Sequence, residues 1–341
     1  MTKIARPDFD ATLASLSQTL VDKFHGIGFP ADAIEMYRRC LLLNTQGGKL
    51  YRCWTVLDTA QALKDDALTA EQTQDLMILG WLVEIQNAGY LIWDDIMDGS
   101  ETRRGQPCWY RREEIGLMSI NDGCLLASTV FIVLKTHFKD HPAYHDLVEV
   151  FRETALQIEF GQSYDLLTAS RHYGGLSQFT KEKYEFIIER KTVYYTSYTP
   201  MSLPLVYLQL ATPKNLKEVR NDYLDVYGDP KVTGKAGSDI QENKLTWLII
   251  EALDRCNEKQ RMVLEEFYGS QDDQEVAKVL AIFDELNLKD LFEEWKDEKI
   301  ATTRKMIENV DESEGLNKEV FNVFLAKLDG DAMRKVGVAV V

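Results

Sequence analysis

The sequence is poor in features on which several classes of protein depend. It has five cysteines, an odd and scattered set without a CxxC pair, and these are interpreted as the reduced thiols of a cytosolic protein. Positive charge is also scarce: 39 lysines and arginines stand against 55 aspartates and glutamates, a net charge of −16. Since nucleic acids are bound through basic surfaces, this balance argues against a nucleic-acid partner. An acidic small molecule remains a possible substrate where cations are concentrated locally.

Long hydrophobic runs are absent as well. The first residues, MTKIARPDFDATLASLSQTL, lack the apolar centre of a signal peptide. No window of about 18 consecutive apolar residues occurs in the chain. We therefore expect a cytoplasmic protein with no signal peptide and no membrane partner.

Proline is missing from long stretches: none occurs between Pro30 and Pro107, and none after Pro230. The apolar segments between these breaks have a helical period, as the leucines and phenylalanine of residues 13–24 illustrate. The sequence therefore predicts an all-α fold. Because it contains no Gly/Ser-rich linker, low-complexity tract or repeat, we expect one domain over residues 1–341.

Two prolines do fall inside a helical stretch, after the segment ERKTVYYTSY. Pro200 and Pro204 should kink this helix, because proline lacks the backbone N–H that an α-helix needs. The kink is expected to free backbone carbonyls near Lys191 and Thr192.

Charge is concentrated in the segment LIWDDIMDGSETRRGQPCWY, residues 91–110. On a helix Asp94 and Asp98 project from one face, with Asp95 beside them. Three neighbouring carboxylates repel one another unless cations are bound, and their oxygens suit a hard cation such as Mg²⁺. Arg103 and Arg104 follow, and guanidinium groups are common partners of phosphate oxygens. The segment predicts a diphosphate site.

A second acidic cluster lies in NDYLDVYGDPKVTGKAGSDIQENK, residues 221–244. Asn221, Asp222 and Asp225 repeat the spacing of the first cluster, and lysines follow. Either cluster alone could be a solvated helix face. Two clusters of identical spacing, each followed by basic residues, favour a metal-dependent diphosphate site.

In these segments the sequence resembles the short-chain trans-prenyl diphosphate synthases, the farnesyl and geranyl diphosphate synthase family. Three shorter stretches also match, in the family's order: NTQGGKLYR, GQSYDLLTA and KTVYY. The resemblance implies an isoprenoid-synthase helical bundle with a central cavity, usually a homodimer. It also implies Mg²⁺-dependent condensation of isopentenyl diphosphate with an allylic diphosphate.

The resemblance carries residue roles with it. It implies that three Mg²⁺ ions are held by Asp94, Asp95, Asp98, Asn221, Asp222 and Asp225. The cationic partners of the leaving diphosphate are Arg103, Lys191 and Lys235. The isopentenyl diphosphate pocket comprises Lys49, Arg52, Asn87 and Arg104. The polar groups facing the carbocation are Thr192 and Gln162, supported by Asp165.

The sequence also departs from the family. Asn221 and Asn87 stand where the family has an aspartate and a glutamine, and Cys53 replaces a glycine after Arg52. Between KTVYY and NDYLD the chain is short by something like three helical turns, or roughly 15 to 20 Å of helix. Either a natural isoform has lost this segment before residue 221 or the sequence reflects a skipped or misread exon.

Three residues before the first acidic cluster bear on product length. Family members carry bulky residues at the fourth and fifth positions before the first aspartate, where this chain has Tyr90 and Gly89. Trp93 lies one turn after Gly89 on the same face, so its indole could fill the space that Gly89 leaves. Such a floor would favour geranyl over farnesyl diphosphate. Alternatively, Trp93 packs against a neighbouring helix as ordinary core.

Two other functions stay open from sequence alone. A terpene cyclase would keep the metal clusters and ionise one prenyl diphosphate without a second substrate; retention of Lys49, Arg52 and Arg104 argues against it. An inactive isoform or noncatalytic subunit is suggested by the shortened segment.

Overall fold

The computed structural model describes residues 4–170, 172, 174–224 and 239–328, with residues 221–224 and 328 described as backbone alone. The helices of its first half are α1 (Arg6–Gly26), α2 (Ala31–Thr45), α3 (Tyr51–Ala62), α4 (Ala70–Asp98), α5 (Ser119–Phe138) and α6 (Tyr144–Ala169). Those of the second half are α7 (Lys181–Ile187), α8 (Thr199–Tyr207), α9 (Pro213–Leu224), α10 (Trp247–Arg255), α11 (Glu258–Phe267), α12 (Asp273–Glu285), α13 (Leu288–Glu308) and α14 (Glu319–Leu328). Within the described ranges the only strands are the short pair β1 (Thr102–Arg103) and β2 (Gln106–Pro107). The all-α prediction is confirmed.

The chain divides into two compact units. The first comprises Met1–Glu153, Tyr195–Val219 and Val310–Val341, and the second comprises Thr154–Tyr194 and Arg220–Asn309. A single domain with a shortened segment before residue 221 stays a prediction.

Helix α4 lies in the core of the first unit. It begins with a capping box, in which Thr69 Oγ1 accepts from the backbone N–H of Gln72 and the Gln72 side chain accepts in return from Thr69. It ends at Gly99, whose φ of +69° favours glycine. Between these ends it packs against α1, α3 and α5, and the Trp81 indole donates to the Phe9 carbonyl at 2.8 Å. A helix that is apolar on nearly every side is expected in such a position.

Two helical segments are long and apolar enough to cross a membrane by length and composition, α4 and the segment Gly116–Phe138. Most of the apolar window of α4 is buried inside the protein, as in the core helix of a globular unit. Less than half of the other window is buried. The absence of a membrane partner stays a prediction.

Where the two prolines predicted a kink with freed carbonyls, the structure has a π-helix over Ile188–Tyr198. It joins α8, where Pro200 lies in the first turn and Pro204 is internal. Since proline cannot donate the i→i−4 bond, a wider turn is one way in which the preceding residues adjust. Lys191 and Thr192 both lie on the π-helix.

The core of the second unit is built largely from helices α10 to α13. Thr246 caps α10 by accepting from the backbone N–H of Ile249. Trp247 then packs edge-on against Phe292 of α13, with ring centroids 5.3 Å apart, and contacts Trp295 at 5.8 Å. These contacts hold Trp247, which follows the second acidic cluster in sequence, against the first turns of α13.

Candidate active site

The segment TRRGQ forms a hairpin with a two-residue turn, so Arg103 lies on a strand and Arg104 lies in the turn. Arg103 on β1 pairs with Gln106 on β2, and the connecting residues Arg104 and Gly105 have φ values of +53° and +73°. Positive φ at both positions is the geometry of a type I′ turn, which suits a tight hairpin. Because the backbone reverses here, the two neighbouring guanidinium groups contact different parts of the first unit.

The Arg103 guanidinium faces the acidic end of α4. Its Nε lies 2.9 and 3.0 Å from the two carboxylate oxygens of Asp95, and its Nη2 lies 3.2 Å from Asp94. Burial disfavours the charge of Arg103, but the two carboxylates outweigh burial and raise its pKa. Asp95 is only 3 % exposed. Asp95 therefore holds Arg103 in place, and its predicted role as a metal ligand stays a prediction.

The donor chemistry at the end of α4 fits a hard divalent cation. Asp94 and Asp98 are one helical turn apart and offer carboxylate oxygens, which Mg²⁺ prefers. Within the described residues no three His, Cys, Asp or Glu side chains are grouped closely enough to hold a metal ion by themselves. A Mg²⁺ ion bound by these two aspartates would take its remaining ligands from water and substrate oxygens, as Mg²⁺ commonly does.

Arg104 turns to the loop between α2 and α3. Its Nη1 donates to the backbone carbonyls of Asn44 and Gln46 at 3.3 and 2.9 Å. A Cβ at Gly48 would lie 3.3 Å from Nη2 of Arg104, so a residue without a side chain allows this approach. The pKa of Arg104 is lowered, first by burial and then by the positive charges of Arg52 and Arg103, against an opposing contribution from an acid on α4.

Arg52, on the first turn of α3, has three partners in the first unit. Its Nη1 lies 3.5 Å from Glu84, its Nη2 donates to Thr196 Oγ1 at 3.2 Å, and its guanidinium lies 4.6 Å from the ring centroid of Tyr195. The structure thus brings two predicted members of the isopentenyl diphosphate pocket, Arg52 and Arg104, into one charged neighbourhood.

The other two predicted members of this pocket differ in exposure. Lys49 is exposed, directly after Gly48 in the loop that Arg104 contacts. Asn87 is buried on α4. Their roles in substrate binding stay predictions.

Sequence reasoning missed two residues of this neighbourhood. Glu84 is an acid in the apolar stretch GWLVEIQNAG of α4, and that isolated charge is the signal that could have identified it. Arg6 donates to the carbonyl of Gly48 at 3.0 Å; its sequence context gave no signal.

In the second unit one carboxylate binds two lysines. Asp165 Oδ2 on α6 lies 2.5 Å from Lys191 Nζ and 2.8 Å from Lys244 Nζ. Burial works against ionisation of Asp165, which is 3 % exposed, but the two ammonium groups hold its pKa below the usual range. Gly161 permits the close approach of α6 to the π-helix, because a Cβ there would lie 2.8 Å from the Lys191 Cα.

Three further residues complete the description of this group. Lys244, to which the sequence assigned no role, shares Asp165 with Lys191; its position at the end of DIQENK was the available signal. Gln162 lies on α6, three residues before Asp165, and its Nε2 is buried with no hydrogen-bond partner among the described residues. Thr192 is half-buried beside Lys191.

The predicted product-length residues are arranged differently from the sequence-based expectation. A Cβ at Gly89 would lie 3.1 Å from the Gly123 carbonyl of α5, so the backbone of α5 occupies the space beside Gly89. The Trp93 indole instead lies over Gly123 and donates to the Ile120 carbonyl at 3.0 Å. Tyr90 packs edge-on against it, with ring centroids 5.3 Å apart. Trp93 therefore packs between helices, and the expectation that it fills the space beside Gly89 is wrong.

Part of the second acidic cluster lies outside the described residues. Asp225 and Lys235 are not described, and Asn221 and Asp222 are described only as backbone positions of α9. Their predicted roles stay predictions.

Comparison with known proteins identifies the chain's relatives. The polyprenyl synthetase family profile matches residues 34–286. Farnesyl pyrophosphate synthase of Schizosaccharomyces pombe is 40 % identical, covering 95 % of this chain and 97 % of the relative, and that of Saccharomyces cerevisiae is 37 % identical, covering 96 % and 97 %. The alignment with the S. pombe protein spans 336 positions, more than the residues of this chain that it covers.

Similar solved structures belong to the same kind of enzyme as these relatives. Farnesyl diphosphate synthase of T. brucei complexed with risedronate superposes with a TM-score of 0.83 at 27 % identity, covering 96 % of this chain and 98 % of that one. The T. brucei enzyme complexed with the bisphosphonate BPH-722 gives the same TM-score at 26 % identity, covering 95 % and 97 %. With identities of 37–40 % over nearly the whole length, the chain belongs to the polyprenyl synthetase family and is a short-chain prenyl diphosphate synthase.

Proposed function

We propose that this prenyltransferase joins isopentenyl diphosphate to an allylic diphosphate, with Mg²⁺, and that farnesyl diphosphate is its main product. The observation that carries the proposal is that the two adjacent arginines of the hairpin lie at two different sites. Arg103 lies at the carboxylates of α4, whereas Arg104 and Arg52 form a separate cationic neighbourhood beside the loop before α3. Two substrates that each carry a diphosphate require two separate cationic binding sites.

The acidic end of α4 suits the allylic substrate. Mg²⁺ bound there, with the second cluster supplying a further ligand set for three ions in all, would neutralise the diphosphate as the allylic C–O bond ionises. Arg103 is already oriented by Asp95 and can donate to the same leaving group. Asp94 and Asp98 remain as metal ligands on the same helix face.

The neighbourhood of Arg52 and Arg104 suits isopentenyl diphosphate, whose diphosphate is kept in the reaction. This substrate needs an anchor that fixes its alkene carbon towards the cation, and two guanidinium groups on different elements provide one. Lys49 extends the positive charge of the same loop.

In the second unit, Asp165 and its two lysines would act through their charges. Asp165 forms ion pairs with Lys191 and Lys244 and fixes the positions of their ammonium groups. Lys191 would assist departure of the diphosphate, and Thr192 and Gln162 would offer polar atoms to the carbocation. The released diphosphate can accept the proton that the product loses.

A C15 product is supported by the relatives, which are named as farnesyl pyrophosphate synthases. The shorter geranyl product expected from Trp93 has no such support, and its geometric basis is removed by the packing of the indole on α5. No observation favours a terpene cyclase or a noncatalytic subunit.

We also propose a cytoplasmic homodimer. Exposed apolar side chains of α5 and the turn before it, Leu117, Met118, Ile120 and Leu125, offer a face for a second copy. All five cysteines are unpaired, as in reducing compartments. Light scattering after size-exclusion chromatography tests the dimer.

The decisive experiment for the reaction is incubation with isopentenyl diphosphate plus dimethylallyl or geranyl diphosphate and Mg²⁺, followed by product analysis. Farnesyl diphosphate from either pair supports the proposal. A hydrocarbon from geranyl diphosphate alone would identify a cyclase, and a folded dimer without turnover a noncatalytic subunit.

A further inference from the structure

Glu84 is a buried acid within an otherwise apolar part of α4. It is 5 % exposed, and its neighbours Val83 and Ile85 are fully buried apolar residues. A buried carboxylate is costly unless a positive charge compensates it. Its compensating partner in the first unit is Arg52, at 3.5 Å between Oε2 and Nη1.

The close packing of α3 on α4 creates this pair. Gly80, one turn before Glu84, faces the backbone of Cys53, and a Cβ at Gly80 would lie 2.9 Å from the Cys53 Cα. The absence of a side chain at Gly80 lets the start of α3 approach α4. Arg52, next to Cys53, is thereby brought alongside Glu84.

Glu84 acts on a second guanidinium too. Its negative charge raises the pKa of Arg104, opposing the lowering caused by burial and by Arg52. One buried acid therefore compensates two arginines that repel each other when no anion is bound.

We propose that Glu84 is a positioning residue that fixes the Arg52 guanidinium for the diphosphate of isopentenyl diphosphate. The inference rests on the proposed function, because it takes Arg52 to be part of that pocket. Glu84 orients one edge of the guanidinium, Thr196 another, and the Tyr195 ring covers its face. A planar group held on three sides presents its remaining N–H groups in a fixed direction.

Neutralising Glu84 should change diphosphate binding in opposite directions, depending on whether Glu84 acts through its charge or by orienting Arg52. Removing a negative charge beside an anion site would, by charge alone, tighten diphosphate binding. Loss of orientation would weaken it. We expect Glu84→Gln to raise the KM for isopentenyl diphosphate about tenfold, with kcat within about threefold and the KM for the allylic substrate unchanged.

The test uses steady-state kinetics on the full-length chain, varying each substrate in turn, together with calorimetric titration of isopentenyl diphosphate alone. Gln86→Met is the matched control: Gln86 is a buried polar residue of the same helix that donates to the Phe151 carbonyl, not to either arginine. The control should change stability without changing the KM for isopentenyl diphosphate. Glu84→Asp, which keeps the charge but withdraws it by one methylene, should also raise this KM.

The outcomes separate the two proposals. If the unmodified chain neither binds nor condenses isopentenyl diphosphate, the proposed function fails. If it does both and the KM of Glu84→Gln is unchanged or lower, the positioning role is overturned. If Glu84→Gln does not fold, the Glu84→Asp variant decides by the same criterion, and an equal rise in KM for Gln86→Met would also overturn the role.

Discussion

The contact between Trp93 and Gly123 can be tested by adding one methyl group. In Gly123→Ala the new Cβ would lie 2.6 Å from Cε2 of the Trp93 indole, well inside van der Waals contact. The ring must move, and movement breaks its hydrogen bond to the Ile120 carbonyl. Overpacking of this kind costs about 1–3 kcal/mol and the lost hydrogen bond about 1 kcal/mol. Alanine in place of glycine in a helix returns about 1 kcal/mol. The free energy of unfolding should therefore fall by about 2 kcal/mol.

The measurement is urea unfolding followed by far-UV circular dichroism, because removing a tryptophan complicates fluorescence. In a Trp93→Ala background the clash is absent, so Gly123→Ala should be neutral or slightly stabilising there. The coupling energy of this double-mutant cycle should be about 2–3 kcal/mol. Gly26→Ala is the matched control, since a Cβ at this α1 position meets no atom within 4 Å.

Two results would refute this reasoning. One is a loss below about 0.5 kcal/mol in Gly123→Ala, which is the usual scatter for harmless surface changes. The other is the same loss with and without the indole, which would mean that the methyl group is resisted by something other than Trp93.

Four further variants address product, metal and charge. Trp93→Ala should leave farnesyl diphosphate as the main product, because the indole packs on α5 and not beside Gly89; a shift to longer products in chromatography would contradict this. Asp94→Ala or Asp98→Ala should lower turnover by about a hundredfold or more with an unchanged circular dichroism spectrum, since metal ligands supply several kcal/mol of transition-state stabilisation. Asp165→Asn should cost about 3 kcal/mol of unfolding free energy, because two lysines lose their shared carboxylate. The pKa of Asp165 is lowered on folding by these lysines, so its contribution is complete above its ordinary pKa of about 3.9 and is lost as pH falls through the lowered value. Acid unfolding of the Asn variant should lack this dependence.

Much of the fold follows from local sequence. The helical period of the apolar residues predicted α1, and the aspartates Asp94 and Asp98 lie one turn apart on α4 as their spacing predicted. The two prolines predicted a kink near Lys191, where the structure has a π-helix. These features depend on residues within a turn or two of one another, which a single sequence contains.

The direction of the Trp93 side chain could not be predicted in that way. Spacing alone places residues 89 and 93 on one face of α4, which made an indole over Gly89 plausible. The outcome depends on α5, whose Gly123 admits the ring and whose backbone fills the space beside Gly89. Helix-to-helix register is a tertiary property, and small residues on the partner helix decide it.

The same limit applies to acids that orient cations. Asp95 is itself a predicted metal ligand, and its side chain points to Arg103 because the hairpin returns that arginine to α4. Glu84 pairs with Arg52 because Gly80 lets α3 approach. Neither the Asp95–Arg103 pair nor the Glu84–Arg52 pair can be predicted from the spacing of its residues in the sequence.

The balance of charge around the two arginine groups predicts how each substrate depends on metal. At the end of α4 one guanidinium, Arg103, accompanies the three aspartates of the first cluster, so the surroundings are net negative before any cation binds. A diphosphate is repelled there until divalent ions reverse the sign. Beside α3 positive charge is in excess among the residues named here: Arg52 and Arg104 share the buried acid Glu84, and Lys49 adds further positive charge.

Isopentenyl diphosphate should therefore bind without Mg²⁺, whereas a non-ionisable thiolo analogue of dimethylallyl diphosphate should bind at least tenfold more tightly with it. Calorimetric titrations with excess EDTA or with Mg²⁺ measure both affinities, and the Asp94→Ala variant should lose the metal dependence for the analogue alone. High salt should weaken the metal-free binding, because it rests on charge. If isopentenyl diphosphate required Mg²⁺ as strongly as the analogue does, the division of the site at the hairpin would be wrong.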